Sequence, residues 1–491
     1  MKLSKRILAL LLSGLMSASV LTACGAKNDG QTSKNNDVYL FEDDGRSESH
    51  EESESSESSE SSESSEEDED SDAEFDIDDF DTTATIEETL LYNENNIKIT
   101  ATELHYTSLN AELEISIENN SDKEIGVYAG TMSYASTAIN NYMTQDGYFS
   151  TVVDKGKKAN ETVYFMLEYL SLLGIEGIGQ IDFGFYIKDE GKSNDSLIYR
   201  GNKEIKTSQY NKYKDTKPSL ENVANNDSLL KAKKITKKKF SKESIYDENS
   251  IKISSVLFAS KEGEDYLFIE FENNNVENVS IGIYDIAIDN TIVSSGLWSG
   301  FNLMAGTKGI TDIKIDSAVS DNKKQIVDVR SIGTISFDVE VKKFLSYDDY
   351  IEPKNVNVKI SDGANSVGFD NAIYDKNGIK IAPKGVATDE YESSDDLHLM
   401  FAIQNNYSKE ITLDIVNDSL SVNGFMTDEI TNHADVPTGK TGIFDVEMQA
   451  SSLKKNKISS VSDVKQAELI VEIKDVDYNE IDEVRLTVYY N

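Results

Sequence analysis

The chain has 491 residues, 38% of them hydrophobic, and carries a formal charge of -41 with a single cysteine. So acidic a chain lacks the basic footprint that phosphate-backbone binding needs, which excludes a nucleic-acid partner, and charge alone does not hold it on anionic lipid. One cysteine excludes an intrachain disulfide and a thiolate metal cluster, so stability has to come from packing, in about three domains by length.

Lys2, Lys5 and Arg6 precede an apolar run from Ile7 to Val20, the anatomy of a secretory signal peptide and too short for a comfortable membrane span. Leu21-Thr22-Ala23-Cys24, followed by Gly25, resembles the lipobox of bacterial lipoproteins. The resemblance implies that residues 1–23 are a signal peptide cleaved before Cys24, whose sulfur carries a diacylglycerol. The protein is then expected at the cell membrane, lipid-anchored and facing the extracellular side, since two acyl chains give lasting attachment. An ordinary signal peptide with a chance cysteine is the alternative.

Residues 24–85 read as a disordered tether. Ser47 to Asp81 is largely Ser-Ser-Glu repeats passing into Glu66-Glu67-Asp68-Glu69-Asp70, with almost nothing to bury against the entropy of ordering. At about 3.3 Å per residue its ceiling is roughly 200 Å. A weak cation sponge or a site of serine modification is the other reading of the same run.

After the tether the sequence repeats. Leu91-Tyr92-Asn93-Glu94-Asn95-Asn96-Ile97-Lys98-Ile99 returns as Ile245-Tyr246-Asp247-Glu248-Asn249-Ser250-Ile251-Lys252-Ile253 and as Ile373-Tyr374-Asp375-Lys376-Asn377-Gly378-Ile379-Lys380-Ile381. A second landmark follows each, at Asn119-Asn120, Asn273-Asn274 and Asn405-Asn406. A third is an alternating strand read as the closing one: Ile181 to Ile187, Ile335 to Val341 and Leu469 to Ile473. Period-two alternation puts one face on a core and the other in water. Asn140-Asn141-Tyr142-Met143-Thr144 matches Asn423-Gly424-Phe425-Met426-Thr427 as a tight-hairpin signal, and Gly156-Lys157, Gly306-Thr307-Lys308 and Gly439-Lys440 each lead into a further strand. Short strands with little amphipathic helix predict an all-β fold of three tandem immunoglobulin-like antiparallel β-sandwich domains, over 86–210, 241–362 and 366–491. Residues 211–240, with Lys231, Lys233, Lys234, Lys237, Lys238 and Lys239, read as a solvated linker partly continuing a helix, as a dock for anionic wall polymer or lipid, or as a counterpart for the acidic run.

No catalytic residue, metal site or cofactor is expected. The histidines His50, His105, His398 and His433 fall at unrelated places in the repeats, and His398 reads as solvent-facing. Gly174-Ile175-Glu176-Gly177-Ile178-Gly179 lacks the strand-turn-helix setting of a dinucleotide fingerprint. Asp475-Val476-Asp477-Tyr478-Asn479 begins like a calcium loop, but Glu480 stands where glycine is needed and Leu486 where a bidentate acid is needed. The candidate ligand-binding loop holds Trp298, the only tryptophan, with Phe301, and its counterpart in the first copy holds Tyr148 and Phe149. Exposed aromatics of this kind stack on sugars or anchor proteins; turned inward, they cap the core.

With lipobox, tether and repeats together, the chain resembles multidomain lipoproteins of Gram-positive bacteria that carry immunoglobulin-like sandwich modules. The resemblance implies architecture and location and transfers no active site. The expectation is a non-enzymatic binding, adhesion or spacer array, joined to the membrane through Cys24 and facing envelope polysaccharide or a surface protein. The alternatives are an accessory substrate-binding or hydrolytic factor for envelope polysaccharide, and an exported sensor or assembly partner of another envelope protein.

Overall fold

The computed structural model describes residues 80–491 apart from 131–135, 192–196, 347–348, 389–395, 431–432 and the single positions Gln145, Lys233, Glu262, Leu345, Asn365 and Asn491. The signal peptide, Cys24 and the tether to residue 79 lie outside the described residues, as does the loop at 392–395.

Alternating strands build three antiparallel sandwiches on one plan. In Asn110–Asn119, Ala111, Leu113, Ile115 and Ile117 are buried, while Glu112, Glu114, Ser116 and Glu118 are half-buried on the other face. This strand lies between Ile97–Tyr106 and Lys157–Met166, with Thr89–Glu94 at the far edge of the sheet. The facing sheet of the first module centres on Gln180–Asp189, flanked by Ile125–Ala129 and Leu197–Lys206. The second module sets Ile251–Lys261, Glu264–Asn273 and Lys308–Lys314 against Val279–Ile288, Thr291–Leu303, Thr334–Lys343 and Asp349–Lys359. The third sets Ile379–Thr388, Leu397–Asn405 and Thr441–Met448 against Ile411–Ile415, Gln466–Asp475 and Glu480–Tyr489. Each module has its own apolar cluster.

The recurring asparagine landmark is a buried pin. Asn119 donates its side-chain amide to Lys123 O and Val153 O, at 2.7 and 2.8 Å, and its Oδ1 accepts from Ser121 N at 3.1 Å. Asn273 repeats this with Glu277 O, Leu303 O and Asn275 N. Asn405 repeats it with Lys409 O, Val436 O and Tyr407 N. A buried amide is retained only where such partners satisfy it, so the repeat in sequence marks a loop clamp.

Four expectations change. The alternating strands read as closing ones are each followed by one more strand of the same sheet. The folded part begins before residue 86: Phe80 and Ala84 are in the first core, Asp81 N donates to Glu176 O at 2.8 Å, and Lys212 Nζ and Tyr213 Oη reach Asp81 Oδ2 at 2.6 and 3.0 Å. Residues 211–240 contain the helix that a partly helical linker would have, at Leu220–Ala224 and Asp227–Ala232, but they are not solvated throughout, because Ile235–Ser241 pairs with Ile251–Lys261. Leu220 and Ala224 pack on Leu257 and Ala259, on the outer face of the second module's sheet. His398 is buried, with Nδ1 2.9 Å from Asp445 Oδ1.

Candidate functional site

The modules join through one device used twice. At its heart is a two-residue hairpin whose central residues both have positive φ, as the type I′ turn requires. In the first module these are Asn140 at 50° and Asn141 at 64°; in the second they are Asp289 at 47° and Asn290 at 72°. The first turn residue is fixed to its own module: Asn140 Oδ1 accepts from Gly179 N and Gln180 N at 2.8 and 3.1 Å, and Asp289 Oδ1 accepts from Gly333 N and Thr334 N at 3.0 and 2.7 Å. The second turn residue reaches the next module. Asn141 O accepts from Lys308 N, and Asn290 O from Thr441 N, both at 3.0 Å. Lys308 and Thr441 stand two places after the Gly306 and Gly439 landmarks.

One sheet of each module therefore runs into the opposite sheet of the next. Lys308 bridges Tyr142 in parallel, and Thr441 bridges Thr291 likewise. Side chains close both joints. Tyr142 Oη donates to Glu270 Oε2 at 2.9 Å, and the buried Glu270 also accepts from Leu220 N at 2.6 Å and Ser254 Oγ at 2.5 Å. Burial, and next the Glu270 charge, push the Tyr142 phenol well above its ordinary range. At the other joint Asn290 Nδ2 donates to Gly439 O at 2.7 Å, Lys440 Nζ to Ser336 Oγ at 3.3 Å, and Asn322 Nδ2 to Asp445 Oδ2 beside His398. Burial lowers the affinity of Lys323 for its proton, against the pull of Asp445.

The first joint leaves a polar cleft of about 520 Å³, lined among others by Gln180, Asp182, Arg200, Asn202, Glu204 and Phe344. Asp182 and Glu204 face each other across neighbouring strands. Burial, partly countered by a 3.0 Å hydrogen bond from Gln180 Nε2, raises the Asp182 carboxyl above the usual carboxylate range. Carboxylates, a guanidinium and amides beside one aromatic ring can hydrogen-bond a hydroxyl-rich ligand.

The sequence-predicted aromatics are not brought together as one exposed loop. Trp298 and Phe301 lie on the strand Thr291–Leu303, half-buried against the second core. Trp298 Nε1 donates to Asp312 O at 3.0 Å, and the Phe301 ring meets Phe271 edge-on at 5.7 Å. Phe149 is buried and stacked on Phe183. Tyr148 alone among the four is well exposed, at 62%. The would-be calcium loop is a tight turn in which Lys409 Nζ lies 2.8 Å from Asp475 Oδ2 and 2.5 Å from Asp477 Oδ2. An ammonium thus takes the place a cation would.

Strand register makes one grouping that sequence spacing hides. His105 and Glu112 are cross-strand partners, with His105 Nε2 3.1 Å from Glu112 Oε2 and 3.9 Å from Glu114 Oε1. Among the described residues these three are the group whose ligand atoms lie close enough to hold a metal ion. Sequence reasoning missed the joints as well. Asp289-Asn290 between Ile288 and Thr291 was the available signal for the second hairpin.

No family model and no curated relative matches the chain. Among solved structures it is similar to red sea bream transglutaminase at 9% identity and a TM-score of 0.14, over 62% of this chain and 37% of that one. It is also similar to a protein of unknown function from Porphyromonas gingivalis W83, at 9% identity and a TM-score of 0.13, over 47% of this chain and 92% of that one. At these scores neither similarity carries an argument about this chain.

Proposed function

We propose that the chain is a non-catalytic, lipid-anchored extracellular array that holds its modules in fixed register and binds an envelope component, a hydroxyl-rich polysaccharide, in the cleft at the first joint. The observation that carries this reading is the repeated joint itself. Main-chain bonds from Asn141 O to Lys308 N and from Asn290 O to Thr441 N, each backed by side-chain contacts, hold neighbouring modules where a flexible linker would let them swing. Asp182, Arg200 and Glu204 then present their polar groups at a fixed spacing, and preorganisation favours binding by removing an ordering cost. The lipobox motif at Leu21 to Cys24 and the acidic run after it support anchoring and display.

The test is retention of the full-length chain on isolated cell envelope, separated into polysaccharide and protein fractions. Saturable retention on polysaccharide that Arg200→Ala and Asp182→Asn both lose, at unchanged melting temperature, is the expected result. Retention that both variants keep would refute the cleft. Retention on a discrete protein alone would make the array an assembly or adhesion module.

A further inference from the structure

We infer that copies of this chain associate head to tail, the third module of one copy docking on the first module of the next through the joint already used twice within the chain. This goes beyond the proposed binding role and does not depend on it.

The third module carries the same hairpin. Asn423 and Gly424 have φ of 53° and 81°, and Asn423 Oδ1 accepts from Lys465 N and Gln466 N at 2.8 and 3.0 Å, as Asn140 and Asp289 do in their modules. The two residues after the turn are buried in the first two modules, as Tyr142 and Met143 and as Thr291 and Ile292. In the third they are Phe425 and Met426, which are 52% and 61% exposed. They form the edge strand of their sheet. Two neighbouring large apolar side chains on an uncovered edge are a feature that soluble proteins normally suppress.

The matching socket is on the first module. Lys158 stands two places after Gly156, as Lys308 and Thr441 stand after Gly306 and Gly439. It pairs with Glu118 in the register in which Lys308 pairs with Glu272 and Thr441 with Gln404. Its strand, Lys157–Met166, is the edge of its sheet, and Lys158 and Asn160 are exposed. Gly147 N covers only the far end, at Tyr164 O. By this equivalence Lys158 N points outward, the donor for Gly424 O of another copy.

Two substitutions match across the unfilled joint. Where the first joint has the Tyr142 hydroxyl on a buried Glu270, the socket has Ser116 at the glutamate's register position and the plug has Phe425, so the hydroxyl and the carboxylate are absent together. Lys157 stands at the place of Lys440, which crosses its joint to Ser336. Counting from the residues the hairpin asparagine or aspartate fixes, Thr334 and Gln466, the third module's counterpart of Ser336 is Glu468. A lysine on the socket therefore faces Glu468 on the plug, a carboxylate that already holds Arg485 at 2.5 Å within its own module. Because plug and socket are different surfaces, the contact is heterologous and grows as an open series.

Sedimentation velocity of the full-length chain in detergent, over a concentration series up to its solubility limit, tests this. The wild type is expected to form species larger than a dimer as concentration rises. Phe425→Asp blocks the plug. Lys158→Pro removes the socket's amide donor at an edge position where proline is tolerated. Each variant alone is expected to stay monomeric with an unchanged melting temperature, and an equimolar mixture of the two is expected to form dimers and nothing larger. Met426→Glu serves as the plug block if Phe425→Asp lowers the melting temperature. A wild type that is monomeric throughout, or that stops at a dimer, overturns the proposal. So does a folded variant that assembles like the wild type, or a mixture that stays monomeric.

Discussion

Replacing Glu270 by alanine should separate the first two modules energetically. Glu270 accepts from Tyr142 Oη, Leu220 N and Ser254 Oγ, and Lys308 Nζ stands 3.4 Å away. Tyr142 and Leu220 belong to residues that are almost wholly buried, so removing the carboxylate strands two donors away from water. Each such donor costs about 1–3 kcal/mol, or roughly 2–6 kcal/mol together. For a cooperative unit of two modules that is a fall in melting temperature on the order of 5–20 °C. Glu272→Ala is the control: that side chain is more exposed and pairs with Lys252 at 3.2 Å, a contact worth about 0–1 kcal/mol. Differential scanning calorimetry of both variants reads the difference. Glu270→Ala should broaden or split the transition that the first two modules share. A loss no larger than that of Glu272→Ala would refute the claim that this carboxylate locks the joint.

Trp298→Ala should lower stability by about 2–4 kcal/mol, because it empties a half-buried indole site and leaves Asp312 O without its donor; chemical denaturation measures the loss, and envelope retention should be unchanged. Burial raises the Asp312 carboxyl to about 7 from its ordinary 3.8, with Lys314 opposing. Between those values the folded state keeps a proton that the unfolded state has lost, so stability falls as pH rises from about 4 to about 7 and levels off above. Asp312→Asn should flatten that slope and raise the melting temperature at pH above 7, as thermal melts across a pH series will show. Calcium should leave the melting temperature unchanged in the wild type, since Lys409 already neutralises Asp475 and Asp477.

The strands were legible because one face is wet. Ala111 to Ile117 and Ile181 to Ile187 alternate cleanly, and the repeated Tyr-Asn/Asp and Asn-Asn landmarks recur because each serves a turn or a clamp inside one module. The joints were not legible, since pairing Asn141 with Lys308 or Asn290 with Thr441 links residues far apart in sequence and leaves no local period. The strand Leu397–Asn405 misled for the same reason. It is buried on both faces, one on its own core and the other, through Met400, on the core of the second module. A histidine out of phase with its apolar neighbours therefore meets Asp445 instead of water. In the lysine-dense stretch, charge masked the apolar spacing of Leu220, Val223, Ala224 and Leu230 that packs the helices down. A lone tryptophan among small residues fits an exposed binding aromatic and an inward cap on the core alike, and the indole N–H of Trp298 is spent on a neighbouring strand.

The clasp at Phe80 and Asp81 bears on how the first module takes mechanical load. Tension applied to the chain ahead of Phe80 enters at Phe80 and Asp81, before it reaches the edge strand Thr89–Glu94. There it meets the buried Phe80 ring, the Asp81 N–H on Glu176 O, and the Asp81 carboxylate held by Lys212 and Tyr213, together with the bridge from Ile86 to Thr207. These contacts draw on both ends of the first module's sequence and are strained together, so the strand behind them is shielded from being peeled away one bond at a time. Pulled from that end, the first module would then yield first at the clasp, as a fuse, and leave the sandwich intact.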